Sequence, residues 1–255
     1  FKLNSFSVRP LSAPELALML GRQGLRVMRR DPRGFIGRLP AYLDALRRPH
    51  FLQLRDNVQT GGSGSYAAWI KHHDFNAERD TEAVAAAVAA LKEKPLISVV
   101  MPVYKTPAEL LEEAIASVAG QIYPNWELCI ADDRSTEPHV RQILESWQAR
   151  DSRIKVVFRE ENGHISHATN SAFGLASGEW VALLDHDDVL RPHALAEVAL
   201  EIGRHPDAEL IYSDEDKLDA KGERYDPYFK PDFSRELFRS QNYLNHLTVH
   251  RAENI

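Results

Sequence analysis

From residue 96 onward, short apolar runs alternate with amphipathic stretches. Residues 97–104, 126–133, 154–159 and 180–185 read as strands, and 209–213 begins another. The intervening stretches 107–121, 137–150, 164–176 and 192–203 read as helices, the last with Pro192 in its first turn. This alternation predicts βαβ units and an α/β fold built on a mainly parallel sheet flanked by helices. The preceding chain reads differently. Leu16, Leu20, Val27 and Met28 fall at helical spacing within 13–30, and Leu43 and Leu46 continue the pattern over 40–48. A Gly/Ser-rich stretch at 61–65 predicts a flexible break, followed by helices over 66–73 and 80–94 that end at Pro95. The expected organisation is a helical N-terminal extension over 1–94 and an α/β domain over 95–255.

The most informative run is Trp180-Val181-Ala182-Leu183-Leu184, which stops abruptly in Asp185-His186-Asp187-Asp188. An uninterrupted apolar segment suits a strand buried on both faces, and its acids then sit at the carboxyl end, where open α/β sheets hold ligands. Strand alternation would turn Asp185 and Asp187 to one side, toward one hard divalent cation. His186 would point to the opposite face, and Asp188 elsewhere or into a cap. An acidic cluster before a helix also serves as a cap alone, so the run by itself leaves both readings open.

Composition narrows the classes. A hydrophobic fraction of 44% and a charged fraction of 27% are those of a globular protein, and no window approaches the roughly 20 apolar residues that span a bilayer. Cys129 is the single cysteine, which rules out an internal disulfide and fits a reducing, cytoplasmic setting, with the inner face of the cell membrane as a further option. The chain lacks an initiator Met and a secretory signal pattern, and is expected to be a fragment, incomplete at its C-terminus. The net charge of −6 conceals an asymmetry: residues 1–56 hold 11 Lys/Arg against 4 Asp/Glu, and the remainder 20 against 33. So acidic a remainder argues against nucleic acid as a partner. The basic arm reads as a solvated helical face, or as a contact for an anionic membrane surface or another protein.

Two further strand ends carry chemistry. The first strand ends in Pro102-Val103-Tyr104, and the second in Asp132-Asp133-Arg134-Ser135. Together with Asp185 they would line one crevice at one sheet edge, where an Asp132 or Asp133 carboxylate could accept the imide hydrogen of a uracil or thymine and Tyr104 could pack on the base. For Asp132, Asp133 and Ser135 taken singly, turn and cap chemistry is an equal alternative.

These segments, Ile97 to Tyr104, Asp132 to Thr136, Glu161-Asn162-Gly163-His164-Ile165-Ser166 and Leu183 to Asp188, resemble in order and separation the family 2 glycosyltransferases of GT-A fold, a Rossmann-like nucleotide-diphospho-sugar transferase architecture. The likeness covers about residues 95–250. Tyr212 to Lys217, Pro227 to Pro231 and Ser240 to Tyr243 are similar to bacterial members that build surface polysaccharides such as O-antigen. The resemblance implies a UDP- or dTDP-sugar donor and a glycan or lipid-linked acceptor. It implies nucleotide contacts from Pro102, Val103, Tyr104, Asp132, Asp133, His164, Asp185 and His186, and Mg²⁺ or Mn²⁺ held by Asp185 and Asp187, the latter as main ligand.

Transfer with inversion, usual for such relatives, requires a carboxylate base near the acceptor hydroxyl. Asp214, Glu215 and Asp216 are the nearest acids after Asp185-His186-Asp187, which matches the family's DxD motif, although a loop that shapes the sugar or acceptor pocket is the more modest reading. Asn245, His246 and His250 could line the same pocket. Two alternatives compete with a transferase: a non-catalytic nucleotide-sugar-binding module of a larger protein, and a nucleotidyltransferase. The second lacks a glycine-rich, lysine-containing phosphate loop.

Overall fold

The computed structural model describes residues 63–255; the basic arm and the helices expected over 13–30 and 40–48 lie outside the described residues. The chain divides into two compact units at Trp69/Ile70. Of the first unit, residues 63–69 are described, and Tyr66 stacks on Trp69 there with ring centroids 5.8 Å apart. The second unit contains the sheet.

The helices are α1 (Ser63–His73), α2 (Ala77–Ala89), α3 (Ala108–Ala119), α4 (Pro138–Arg150), α5 (His164–Phe173), α6 (Ala194–Arg204) and α7 (Arg235–Ser240). The strands are β1 (Ile97–Val103), β2 (Trp126–Asp132), β3 (Ile154–Phe158), β4 (Trp180–Leu183), β5 (Leu210–Tyr212), β6 (Glu215–Leu218), β7 (Arg224–Tyr228) and β8 (Thr248–Arg251). Six strands form one sheet in the order β3-β2-β1-β4-β8-β5, and β6 pairs with β7 as a separate hairpin. β1 to β4 run parallel, as predicted, while β8 runs antiparallel to both β4 and β5.

Both faces of the central strands are covered, which explains their mainly apolar sequence. Every residue of β1 and β2 is buried. Ile97, Val99, Met101 and Val103, with Leu128 and Ile130, enter a large core with Leu111 and Ile115 of α3, Val140 and Leu144 of α4, and Leu195 of α6. Val100, Cys129, Ala131 and Val181 point the other way, onto Ala168 and Ala172 of α5. Small residues on both partners suit close approach of that helix. Burial pushes the Cys129 thiol up to about 12, as befits a packing residue.

Several boundaries differ from expectation for identifiable reasons. Ser63 to Ser65, read as part of a flexible break, begin α1. α2 starts before residue 80 because the Asn76 side chain accepts the Glu78 and Arg79 amides, a working N-cap. Val84, Val88 and Leu91 join the sheet's core, so this stretch, grouped with the extension in the sequence reading, packs with the second unit. Pro192 stands ahead of α6 rather than in its first turn, and its carbonyl accepts the Ile122 amide at 2.8 Å. β4 ends at Leu183, two residues before the acids. Among the described residues no helix is long and apolar enough to cross a membrane.

Candidate functional site

The chain runs from β1 outward to β3, then returns to the other side of β1 as β4, so the direction of winding reverses between β1 and β4. A proline opens that seam. In a parallel ladder, alternate residues of a strand bond to alternate neighbours, and Val100 accepts from Leu184 while Val103 accepts from Asp133. Pro102 therefore turns toward β4, whose pairing with β1 stops at Val100↔Leu183. Lacking an N–H, it cannot extend that ladder. The strands part there, leaving a cavity of about 280 Å³ lined by Pro102, Val103, Tyr104, Asp133, Asn162, His164, Asp185, His186 and Asp187. The structure thus brings together all the predicted nucleotide contacts except Asp132.

Asp132 and Asp133 separate into different roles. Asp132 is 4% exposed, and its carboxylate accepts the Ser135 amide at 3.3 Å, the turn chemistry that stood as its alternative. Asp133 is 2% exposed and faces the crevice. Arg159 Nε donates to its Oδ1 at 2.8 Å, and the Gly163 amide donates to both oxygens at 3.0 and 3.1 Å. Arg159 is braced in turn by the His167 carbonyl at 3.0 Å and by Ser171 Oγ. A side chain at position 163 would bring its Cβ within 2.7 Å of both Arg159 and His167, so only glycine lets the loop close on Asp133. Arg159 and Asn162 were not singled out from sequence. A basic residue at the end of β3, one strand from a buried acid, was the available signal for Arg159.

Three residues bordering this crevice hold left-handed backbone: Lys105 (φ 52°), Arg134 (φ 64°) and His164 (φ 62°). Each follows a strand end or opens a helix, and non-glycine residues hold this conformation only against a cost of roughly 1–2 kcal/mol. The Lys105 amide donates to Ser135 Oγ at 2.8 Å, tying the first two turns together. Such strain concentrates at ligand sites. Tyr104, immediately before one of these turns, remains 43% exposed, its ring available to a ligand.

At the far end of the crevice the expected alternation of acids does not apply, because β4 has ended and Asp185 to Asp188 form a turn closed by the Asp188 amide on the Asp185 carbonyl. Asp187 lines the crevice beside Asp185, with a side chain 56% exposed. His186 also lines it, and its Nδ1 is buried without a hydrogen-bond partner. Asp188 turns instead toward Asp185 and His246. His246 Nε2 lies 3.7 Å from Asp185 and Nδ1 lies 3.7 Å from Asp188. One ligand atom from each of the three falls within 4.8 Å of the others, a group that could hold a divalent cation. Burial pushes the Asp188 carboxyl above its ordinary range; Asp185, Asp187 and Glu215 add to this against the pull of His246.

His246 reaches this point because β8 is antiparallel. The chain enters β8 beside the carboxyl end of β4, with Thr248 opposite Leu183, so residues just before it arrive at the acids. His250, by contrast, lies within β8 opposite Val181, and burial lowers its pKa. Asn245 accepts from the Thr248 hydroxyl at 3.3 Å.

None of the three acids weighed as a base lines the crevice. Asp214 accepts the Lys230 amide at 2.7 Å, and Asp216 pairs with Arg224 at 2.5 Å. Glu215 comes nearest, accepting the His246 amide at 2.5 Å.

A family model described as "Glycosyl transferase family 2" matches residues 98–251, all of the six-stranded sheet except Ile97. The chain belongs to glycosyl transferase family 2. The sheet, its helices and its seam crevice are the GT-A arrangement expected of that family. The chain is 44% identical over 193 residues to the O-antigen biosynthesis protein RfbC of Myxococcus xanthus, covering 74% of this chain and 15% of that protein. It is 49% identical over 206 residues to the uncharacterized protein y4gI of Sinorhizobium fredii, covering 78% of this chain and 22% of the relative. This family 2 chain therefore spans less than a quarter of the length of either relative. Among solved structures, S. aureus TarS 1-349 aligns with a TM-score of 0.47 at 22% identity, over 61% of this chain and 47% of that one.

Proposed function

We propose that this chain is the donor-binding part of a metal-dependent, inverting glycosyltransferase. It moves a sugar from UDP or dTDP to a glycan or lipid-linked acceptor during cell-surface polysaccharide synthesis. The observation that carries this reading is the convergence of Tyr104, Asp133, His164 and Asp185 on one crevice, with Asp185 shared by the adjoining cluster of Asp185, Asp188 and His246. The cavity suits the nucleoside end of a donor, since pockets for whole small ligands run from roughly 300 Å³ upward. Asp133, already accepting from Arg159 and Gly163, offers an acceptor-only carboxylate to the imide N–H of a pyrimidine, and Tyr104 offers a ring face.

Two carboxylates and an imidazole fit Mn²⁺ better than Mg²⁺, which favours oxygen ligands alone. Asp185, Asp188 and His246 would hold the cation, with Asp187 within reach of the diphosphate side. A divalent cation bound there stabilises, as a Lewis acid, the negative charge that develops on the departing nucleoside diphosphate. The role of the chain's own groups is to fix the base and ribose on Asp133 and His164. That leaves the sugar to project past the acids. The family relationship to RfbC, an O-antigen biosynthesis protein, supports the assignment to surface polysaccharide.

A donor screen by calorimetry, with and without Mn²⁺, tests the reading. Metal-enhanced binding of UDP or dTDP is expected, and a folded sample that binds neither would reject it. A second reading is favoured by the engagement of Asp214, Glu215 and Asp216 in other bonds: a nucleotide-sugar-binding module without turnover of its own. Sugar transfer by this chain alone would reject that one.

A further inference from the structure

Asp74 lies outside the family-matched segment 98–251, in the turn between α1 and α2, yet only 11% of its side chain is exposed. It accepts from Arg191 Nη2 at 3.0 Å and from Arg224 Nη1. Arg191 precedes α6; its Nη2 also donates to the Phe75 carbonyl at 3.1 Å, and the Phe75 ring stacks on His193 at 4.3 Å. Arg224 begins β7, and its Nε donates to Asp216 on β6 at 2.5 Å. One carboxylate thus ties the turn before α2 both to the main body ahead of α6 and to the hairpin. The Asp74, Arg224 and Asp216 side chains are all under one-fifth exposed. In such surroundings charge-assisted bonds are strong and directional.

The hairpin extends this anchoring to the crevice. Next to Asp216, Glu215 accepts the His246 amide at 2.5 Å. Just beyond β7, Lys230, its side chain fully buried, donates from Nζ to the His246 carbonyl at 2.7 Å and to the Leu244 carbonyl at 3.3 Å. His246 is therefore gripped at its own N–H and C=O by the two arms of the hairpin. Its ring meets Asp185 and Asp188 as a result. The next residue, Leu247, is held independently, its amide donating to Ser213 Oγ at 3.2 Å and its carbonyl accepting the Ser213 amide at 3.1 Å, so the hairpin's particular contribution is at His246 itself.

We propose that Asp74 is a positioning residue: it anchors the β6–β7 hairpin so that Glu215 and Lys230 present His246 to Asp185 and Asp188. The cation-binding consequence rests on the function proposed above; the mechanical coupling does not.

The test is residue-resolved amide hydrogen exchange on the full chain, wild type against Asp74→Asn and Asp74→Glu, alongside a Mn²⁺ titration followed by electron paramagnetic resonance. In Asp74→Asn the His246 amide should exchange about tenfold faster or more, the usual scale for losing a charge-assisted bond, with β1 and β2 amides unchanged. Asp74→Glu should restore at least part of that protection. Asp216→Asn, which cuts the same chain one link nearer the site, should reproduce the Asp74→Asn pattern. Mn²⁺ affinity should fall in step with His246 protection, while metal-free UDP affinity stays within about twofold. Unchanged His246 protection in Asp74→Asn overturns the proposal, as does a loss of protection spread equally over β1 and β2. A wild type that binds no Mn²⁺ refutes the cation site, and the exchange data still decide the role of Asp74.

Discussion

The two ends of the same mainly parallel sheet treat their acids in opposite ways. At the amino end, Glu127 is 5% exposed and surrounded by donors: Ser98 Oγ and Lys155 Nζ at 2.6 Å, the Ser177 amide at 2.5 Å, and Ser177 Oγ at 2.9 Å. The Gly178 amide closes the network on Ser98 Oγ, and a Cβ at 178 would come within 2.4 Å of the Leu96 carbonyl. At the carboxyl end, Asp185 and Asp188 each lie 3.7 Å from a ring nitrogen of His246, beyond hydrogen-bond length. Glu127 is held down to about 2, whereas Asp188 is pushed up. Glu127 is buried and draws its donors from the protein, whereas the Asp185 and Asp188 side chains are 43% exposed and stay accessible from solvent.

The strongest challenge to this contrast is Asp185→Ala. Mn²⁺ affinity and metal-stimulated UDP binding should drop by about 100-fold or more, since one ligand of a small set is lost. The melting temperature should hold or rise, because a like charge beside Asp188 has gone. A fall in melting temperature with metal binding intact would erase the distinction.

Glu127→Ala is the mirror image. Stripping one partner from a buried charged network costs about 3 kcal/mol, read as a lower urea midpoint, while UDP affinity of the folded fraction stays the same. The same residue sets an acid limit. Its folded pKa, about 2, lies below the unfolded carboxylate value, so its stabilisation is complete above roughly pH 5 and drains away as pH falls toward 2. In Glu127→Gln that part of the acid-unfolding slope should disappear.

Asp133 belongs to both classes, satisfied by Arg159 and Gly163 on one side and open to the crevice on the other. Asp133→Asn should therefore lower UDP affinity about tenfold and stability by about 1 kcal/mol together, measured by calorimetry and thermal melts. An effect on only one of the two would assign it to one class. The smallest expected change is Lys105→Gly, which relieves a left-handed backbone at φ 52° but frees the unfolded chain. A shift under about 1 kcal/mol in either direction is expected, with UDP binding altered less than twofold.

Much of this was legible in the chain itself. The unbroken apolar run of β4 announced a strand buried on both faces, and acids at the strand ends marked the crevice edge. Alternation failed beyond Leu183 because it is a property of paired backbone, and the pairing stops there. Hence Asp188, expected elsewhere or in a cap, joins Asp185. His246 was visible only as one histidine among several, since its position depends on the reversed direction of β8, a pairing across more than 60 residues. The β6–β7 hairpin was missed for a related reason: exposed charged strands such as Glu215–Leu218 carry no apolar alternation to read. Arg159 escaped notice because a cation at a strand end looks the same in sequence whether it faces solvent or braces an acid.

The insertion of β8 between β4 and β5 also sets an order of assembly. During synthesis, β1 to β4, and with them Tyr104, Asp133, His164 and Asp185, can form before residue 246 exists. Until β8 arrives, β4 presents an unpaired edge and β5 has no neighbour in the sheet. The crevice lining can thus form first, and His246 joins it last. A chain halted between these points would have an open flank able to pair with another copy of itself.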